Sequence, residues 1–154
     1  MEKAEVRKQM RELKRAVPPE EKLRRSDGIM RKVEALTEFQ QARVVLLYWS
    51  MADEVQTHAF VEKWYKDKVL LLPCVDGDDL RLRQYTGPEC MVAGEQFGIG
   101  EPTGEEFVDL DRVELIIVPG VAFDFQLMDE IPTEPFDVKM DKVVSENTTH
   151  TLSN

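Results

Sequence analysis

The stretch from Ile116 to Asp124 reads IIVPGVAFD, and it decides the fold class. Its apolar, β-branched start predicts that residues Glu114 to Val118 form a buried parallel strand, and the Pro-Gly pair marks the turn that follows. Ligands of open α/β sheets bind in the crevice outside the carboxyl ends of the strands. We therefore expect the loop after Val118 to form part of a ligand site.

Two other apolar runs predict neighbouring strands. RVVLLY, from Arg43 to Tyr48, and KVLLLP, from Lys68 to Pro73, are continuous enough to be buried strands. Residues Thr57 to Lys66, between them, have the spacing of a helix. Because strand–helix–strand crossovers are right-handed, the two strands are predicted to be parallel neighbours. The fold class that follows is α/β, with a mostly parallel sheet flanked by helices.

The N-terminal segment from Lys3 to Ala16 predicts an amphipathic helix. Its apolar stripe is formed by Val6, Met10 and Leu13, at helical spacing. A second, cationic stripe consists of Lys3, Arg7, Arg11 and Lys14. Two interpretations stay open: a solvated face paired with Glu2, Glu5 and Glu12, or a patch that binds a small anion.

The remaining segments predict a second helix, a hairpin and a long connection. The second helix begins at Pro18-Pro19-Glu20-Glu21 and continues toward Phe39. Asp76-Gly77-Asp78 predicts a turn, followed by a half-exposed strand from Leu80 to Tyr85. The last predicted elements are a long surface loop, Thr86 to Asp111, a short helix, Phe125 to Ile131, and a terminal strand, Lys139 to Ser145.

Length and charge restrict the classes of protein. The 154 residues suffice for a single domain, residues 1–154, that buries roughly two thirds of its unfolded surface. The net charge of -10 argues against nucleic acid or an anionic membrane as a partner, because a phosphate polymer would be repelled. Cys74 and Cys90 lack the spacing of a metal site and predict structural thiols. No apolar run reaches the length of a signal or membrane segment, so we expect a cytoplasmic protein.

Candidate site residues follow the strand that ends at Tyr48. The turn LYWSMADE exposes Trp49, Met51, Asp53 and Glu54 at the carboxyl end of this strand. Aromatic and sulfur side chains beside a carboxylate suit a flat heterocycle that donates hydrogen bonds. Core packing of Trp49 and Met51 is the simpler alternative. Glu54 is the stronger candidate, because it lies where a ligand at the sheet end would bind.

Other ionisable residues give weaker signals. Asp137 and Asp141, around Lys139, could supply the one or two carboxylates that Mg²⁺ takes from proteins, or they could be solvated acidic residues. His58 and His150 have no partner at ligand or triad spacing. We interpret them as a helix-surface residue and a tail residue.

Five motifs in order along the chain resemble those of one known family. They are the KxxxR of Lys3 to Arg7, the SMADE of Ser50 to Glu54, the FGIGEP of Phe97 to Pro102, the VPGVAFD of Val118 to Asp124 and the PFDVKMDKVV of Pro135 to Val144. Together they resemble the 5-formyltetrahydrofolate cyclo-ligases, also called methenyltetrahydrofolate synthetases.

The resemblance implies a three-layer α/β fold of the NagB/RpiA/CoA-transferase type and an enzyme that uses ATP and Mg²⁺. In the family, ATP phosphorylates the formyl oxygen of 5-formyltetrahydrofolate, the bridging nitrogen of the folate attacks the activated carbon, and phosphate leaves. Phosphorylation is needed because an amide oxygen is a poor leaving group, and cations stabilise the transferred phosphoryl group. The expected partners are ATP and a folate with or without a polyglutamate tail, bound by a cytoplasmic monomer.

The resemblance also implies roles for individual residues. Lys3 and Arg7 match the contacts to the nucleotide phosphates. Trp49 and Glu54 match the folate contacts, with Glu54 accepting hydrogen bonds from the pterin. Asp137 matches a magnesium ligand.

The sequence departs from the family at the junction of Asp124 and Phe125. Family members carry a segment of roughly thirty residues there, the length of a strand–helix–strand unit, which holds a glycine-rich LGRGxGYYD motif and a second magnesium-binding aspartate. The 154 residues contain no such motif. We therefore keep two alternatives: a folate-binding or regulatory protein that does not transfer phosphate, and an acidic protein-interaction domain.

Overall fold

The computed structural model describes residues 2–94, 98–119, 123, 126, 140–147 and 149–151. The helices of this part are α1 (Lys3–Ala16), α2 (Pro19–Ala35), α3 (Thr37–Gln41) and α4 (His58–Trp64). Its strands are β1 (Val44–Leu46), β2 (Val69–Asp76), β3 (Asp79–Gln84), β4 (Met91–Ala93), β5 (Gly100–Pro102), β6 (Leu115–Ile116), β7 (Lys142–Val144) and β8 (Thr149–Thr151).

The first two helices begin where the sequence predicts, but the second ends earlier. α2 starts at Pro19. The negative charges of Glu20 and Glu21, in its first turn, stabilise the helix by interacting with the positive end of the helix dipole. The chain becomes extended at Leu36, with φ -68° and ψ 136°, so the predicted single helix toward Phe39 is divided into α2 and α3. Phe39, in α3 after this interruption at Leu36, is buried in the core.

The main sheet has the strand order β3-β2-β1-β6. β1 pairs in parallel with β2, with Val44 opposite Val69, as the crossover argument predicts. β3 is antiparallel to β2 after a turn at Gly77, whose φ of 61° favours glycine. β6 is parallel to β1. The predicted α/β class, with a mostly parallel sheet flanked by helices, is confirmed.

The strand predicted from Glu114 to Val118 is present as β6, which is parallel to β1 but shorter than predicted. Among the described residues β6 pairs with β1 alone. The N–H of Ile117 still donates to the carbonyl of Leu46, at 2.8 Å.

The sheet is buried on both faces, as expected for parallel strands. The larger core lies between the sheet and α2 to α4, and it includes Ile29, Val33, Phe39, Val45, Phe60, Val61, Leu70 and Leu72. The opposite face carries Val44, Leu71 and Leu82, against which Phe107 and Val113 pack. The alternation along β2 therefore sends Leu70 and Leu72 to one face and Leu71 to the other.

The long loop predicted from Thr86 to Asp111 contains regular structure. β4 and β5 form an antiparallel hairpin in which Met91 lies opposite Pro102. The sequence did not reveal this hairpin, because glycine, proline and acidic residues dominate the composition of the segment.

The C-terminal strand forms a separate hairpin. β7, within the strand predicted from Lys139 to Ser145, pairs with β8 rather than with the main sheet. His150 was interpreted as a tail residue, but it lies in β8 opposite Val143. The predicted helix from Phe125 to Ile131 and the junction of Asp124 and Phe125 fall on residues outside the described ranges, apart from Gln126.

The two cysteines agree with the prediction of structural thiols. Cys74 and Cys90 are both buried and free. In the described part of the chain, every helix is too short or too polar to cross a bilayer.

Candidate functional site

The carboxyl ends of β1 and β6 meet at one edge of the sheet, because the two strands are parallel. Residues from the connections after both strands, and one lysine of α1, line a small pocket of about 40 Å³ there. The described residues of this pocket, which we call the Glu54 pocket, are Lys14, Tyr48, Glu54, Val55, Pro119 and Gln126. As the sequence predicted, the connection after β6 borders a pocket.

Residues 50–57 form a closed loop at the end of β1. The backbone N–H of Ser50 donates to Oγ1 of Thr57 at 3.2 Å, and the N–H of Thr57 donates to Oγ of Ser50 at 2.9 Å. The Thr57 hydroxyl also donates to the carbonyl of Tyr48 at 2.8 Å. All three residues are buried, so these bonds hold the two ends of the loop together.

A glutamine braces the middle of the same loop. Nε2 of Gln56 donates to the carbonyls of Met51 and Glu54, at 2.8 and 2.9 Å. The N–H of Gln56 donates to Oγ of the fully buried Ser26 in α2. The loop that carries Glu54 is therefore fixed internally and attached to the helical layer.

Glu54 is a half-buried carboxylate. Its Oε1 accepts a hydrogen bond from the N–H of Met51 at 2.8 Å, and among the described residues its other oxygen accepts none. Burial raises the pKa of Glu54, and the neighbouring charge of Asp53 adds to this effect. The Met51 hydrogen bond and the charge of Lys14 oppose the rise in pKa. The group is thus a partly desolvated acceptor, suited to a ligand that donates hydrogen bonds.

Lys14 is a residue of this site that the sequence analysis did not single out. Its Nζ lies 4.0 Å from Oδ2 of Asp53, and its side chain is 19% exposed. The half-buried positions of α1 are Lys3, Val6, Met10 and Lys14, whereas Leu13, predicted in the apolar stripe, is 43% exposed. The signal was present, because Lys14 follows Lys3 by eleven residues, about three helical turns, and so lies on the same face.

Tyr48 forms a buried wall of the Glu54 pocket. Its hydroxyl donates to the carbonyl of Val55 at 2.8 Å. Burial, and secondly the charge of Glu54, raise the pKa of Tyr48 far above its ordinary value. The hydroxyl therefore stays protonated and keeps Val55 in place.

Trp49 lies in an aromatic stack. Its ring is stacked on His58, with centroids 3.7 Å apart, and on Tyr85 at 5.8 Å. Its indole also lies against Gly100, where an added Cβ would come within 2.9 Å of Nε1. Trp49 does not line the Glu54 pocket in the described part of the chain. Its role as a folate contact stays a prediction.

His58 was interpreted as a helix-surface residue with no partner at ligand or triad spacing, and the structure adds a stacking partner and a backbone hydrogen bond. His58 is the first residue of α4, it is half-buried, and its Nε2 forms a hydrogen bond with the carbonyl of Ser50 at 3.0 Å. Burial lowers the pKa of its imidazole. The stacking partner was hidden in the sequence, because Trp49 and His58 approach each other only when residues 50–57 close.

The predicted phosphate contacts lie on α1, away from the pocket. Arg7 is exposed and Lys3 is half-buried. Arg7 precedes Lys14 by seven residues, about 10 Å along the helix axis. The structure therefore brings Lys14, and neither Lys3 nor Arg7, to Glu54.

The predicted magnesium ligand, Asp137, lies outside the described residues. Within the described ranges, no group of three or more His, Cys, Asp or Glu side chains could hold a metal ion. Mg²⁺ commonly takes only one or two carboxylates and completes its shell with water and substrate phosphates. The described residues therefore offer no preformed cage for the metal.

A larger, open cleft of about 410 Å³ lies between α2 and α4. Lys63 pairs there with Glu34 at 2.9 Å, and Glu34 also accepts a hydrogen bond from the Trp64 indole. These charges are satisfied within the protein. The smaller Glu54 pocket, which adjoins the ends of two parallel strands and holds a carboxylate with an open oxygen, is the better candidate site.

Comparisons with other sequences point to one family. Residues 1–126 match the 5-formyltetrahydrofolate cyclo-ligase family. A Schizosaccharomyces pombe protein described as a probable 5-formyltetrahydrofolate cyclo-ligase is 32% identical over 108 residues, which are 66% of this chain and 53% of that protein. The Mus musculus 5-formyltetrahydrofolate cyclo-ligase is 26% identical over 128 residues, 77% of this chain and 63% of that protein. The matches thus span less than two thirds of either relative.

Solved structures show the same fold. The NMR structure of Aquifex aeolicus 5,10-methenyltetrahydrofolate synthetase superposes with a TM-score of 0.87 at 29% identity, covering 100% of this chain and 94% of that chain. The Mycoplasma pneumoniae 5,10-methenyltetrahydrofolate synthetase superposes with a TM-score of 0.66 at 22% identity, covering 96% of this chain and 100% of that chain. The second likeness concerns the fold alone.

Proposed function

Since this chain belongs to the 5-formyltetrahydrofolate cyclo-ligase family, we propose that it converts 5-formyltetrahydrofolate to 5,10-methenyltetrahydrofolate in a reaction that consumes ATP. The observation that carries the proposal is the Glu54 carboxylate, half-buried at the ends of β1 and β6, whose second oxygen accepts no hydrogen bond from the described residues. A pterin ring is a flat heterocycle whose N–H groups match this acceptor.

The roles proposed for the other residues follow from the family resemblance. Lys3 and Arg7 bind the nucleotide phosphates, and Arg7 is exposed and so accessible to them. Phosphoryl transfer from ATP to the formyl oxygen creates a leaving group and releases ADP. The bridging nitrogen of the folate then attacks the formyl carbon and loses its proton, and the C–O bond breaks to release phosphate. Mg²⁺, with Asp137 as a ligand, would neutralise charge on the phosphates. Asp137 lies outside the described ranges, so no step is assigned to the metal.

The test is a reaction of the full chain with 5-formyltetrahydrofolate, ATP and Mg²⁺. We expect formation of the methenyl product, which is measured by its absorbance, and release of one ADP for each molecule of product. Reactions without ATP, and with Glu54→Gln, are the controls. A chain that binds neither folate nor ATP would contradict the proposal.

A second candidate function is folate binding without phosphoryl transfer. The specific observation in its favour is the absence of the LGRGxGYYD motif from the sequence, because glycine-rich loops cradle phosphates through their backbone N–H groups. Calorimetric binding of 5-formyltetrahydrofolate without product formation would favour this candidate over the enzyme.

The oligomeric state, the cellular location and the form of the folate are also proposed. We expect a monomer in the cytoplasm that accepts folates with or without a polyglutamate tail. Size-exclusion chromatography tests the monomer, and competition between the two folate forms tests the preference.

A further inference from the structure

Lys14 joins α1 to the loop that carries Glu54. Its Nζ lies 4.0 Å from Oδ2 of Asp53 and its side chain is 19% exposed, although α1 has no fully buried residue. The same side chain lines the Glu54 pocket. Lys14 is therefore a direct contact between the helix and the pocket.

The loop of residues 50–57 is more tightly bound to the rest of the protein than α1 is. Residues 50–57 are fixed by the hydrogen bonds of Ser50, Gln56 and Thr57, with a link to Ser26 in α2. α1 rests on the protein only through half-buried positions, including Val6 and Met10. An element with little buried apolar surface shifts more readily than a hydrogen-bonded loop. A ligand that fixes α1 therefore changes how often Lys14 stands beside Asp53 and Glu54.

We propose that Lys14 is a positioning residue that couples nucleotide binding on α1 to folate binding in the Glu54 pocket. The inference rests on the proposed function, because it takes Lys3 and Arg7 as the phosphate contacts. Those residues lie about 16 and 10 Å from Lys14 along the axis of one helix. Phosphates bound there fix the helix, and the Lys14 ammonium then stabilises the ionised carboxylates of the loop. By linkage, folate bound at Glu54 strengthens nucleotide binding by the same factor.

The experiment measures this factor directly. A non-hydrolysable ATP analogue, with Mg²⁺, is titrated calorimetrically into the full chain without folate and with saturating 5-formyltetrahydrofolate. In the unmodified chain we expect the two dissociation constants to differ by about fivefold or more. In Lys14→Met the ratio should fall toward one. Lys14→Arg, which keeps the charge, should retain most of the ratio.

Lys8→Met is the matched control. Lys8 is exposed on the same helix, and its replacement removes the same charge with the same side chain. We expect the ratio to be unchanged in this variant, and thermal unfolding should show that both variants are folded. A general effect of charge on ATP affinity would change both dissociation constants by the same factor and leave the ratio unaltered. An equal fall of the ratio in the two variants would show that the coupling does not depend on the position of Lys14, and would overturn the inference.

The outcomes separate this inference from the proposed function. Binding of both ligands with a ratio of one in the unmodified chain overturns the coupling and leaves the function standing. An unchanged ratio in Lys14→Met overturns the role of Lys14 alone. If neither ligand binds, the proposed function fails, and the inference fails with it.

Discussion

At the scale of single residues, we expect Glu54 to contribute to folate affinity. Its Oε1 is occupied by the Met51 N–H, so a ligand finds an acceptor whose position is already fixed. We predict that Glu54→Gln weakens binding of 5-formyltetrahydrofolate by about 1.5 to 3 kcal/mol, the value of a hydrogen bond to a charged group. Calorimetric titration measures this, with Glu105→Gln, an exposed position, as the control. Equal affinities of the Glu54 variant and the unmodified chain would remove Glu54 from the site.

The same substitution should stabilise the folded chain. The pKa of Glu54 is raised in the folded state, chiefly by burial, so ionisation of this group favours unfolding. The favourable contribution of the protonated form is present below the ordinary pKa of 4.5 and is lost as the pH rises through the folded-state pKa. We therefore predict that Glu54→Gln raises the free energy of unfolding near pH 7, and that the difference disappears below pH 4.5. Urea denaturation at the two pH values tests the sign.

Arg7 should act on the nucleotide rather than on the folate. We predict that Arg7→Ala raises the KM for ATP several-fold and changes the KM for folate little, because the side chain is exposed on α1 and does not line the Glu54 pocket. Arg7→Lys should rescue ATP binding only partly, since lysine lacks the two-pronged guanidinium contact with phosphate. Lys8→Ala is the control, and equal changes for both substrates would indicate a structural role.

Some of these residues could be predicted from the sequence and others could not. Glu54 was predictable, because it follows an apolar strand at the end where ligands of α/β sheets bind. Lys14 was visible in the cationic stripe, but its distinction from Arg11 depends on the position of α1 beside the loop of residues 50–57. The stack of His58 on Trp49 depends on a loop closure that no local pattern encodes.

At the scale of elements, the connection between β1 and α4 determines the site. Thr57 is fully buried, and its hydroxyl serves both the Ser50 N–H and the Tyr48 carbonyl. Thr57→Val keeps the shape but leaves those two groups unpaired, so we predict a loss of about 1 to 3 kcal/mol in the free energy of unfolding. Thr37→Val, at the exposed start of α3, is the matched control and should change stability by less than about 0.5 kcal/mol.

Urea denaturation of the two valine variants measures the difference. Folate affinity of Thr57→Val should also fall, because the loop positions Glu54. If Thr57→Val had the stability and the folate affinity of the unmodified chain, the conformation of residues 50–57 would not depend on the hydrogen bonds of the Thr57 hydroxyl.

Helices and strands were predicted best where the pattern of apolar and charged residues is regular. α1 has the predicted bounds, Lys3–Ala16, because its apolar and charged stripes repeat without interruption. β2 extends to Asp76, beyond the predicted Pro73, because the turn at Gly77 continues the ladder into β3. The β4–β5 hairpin was missed, since tertiary contacts such as the Cys74 thiol on the Pro102 carbonyl, rather than alternation, hold it in place.

At the scale of the whole molecule, the two edges of the main sheet differ. The outer edge of β3 is covered, because the Gln84 N–H donates to the Glu105 carbonyl and the Phe107 N–H donates to the Leu82 carbonyl. At the other edge, β6 pairs with β1 and with no further strand of the described residues. The resemblance implies a further segment after VPGVAFD, and the sequence contains no LGRGxGYYD motif there. The β6 edge of the described sheet therefore lies beside the point where the sequence departs from the expected pattern.

Ile116, on β6, should therefore be the main point of self-association. It is 59% exposed on a strand that has one partner among the described residues, and an apolar side chain on such an edge favours pairing with another chain. We predict that Ile116→Glu lowers the aggregated fraction, measured by light scattering at high concentration, several-fold relative to the unmodified chain. Val108→Glu is the matched control, because Val108 is 77% exposed outside any strand and the substitution adds the same charge. If the two variants suppressed aggregation equally, the added net charge would be the cause. We expect a larger effect of Ile116→Glu, because a glutamate on β6 interrupts the addition of a strand from another chain, whereas a glutamate at Val108 lies outside any strand.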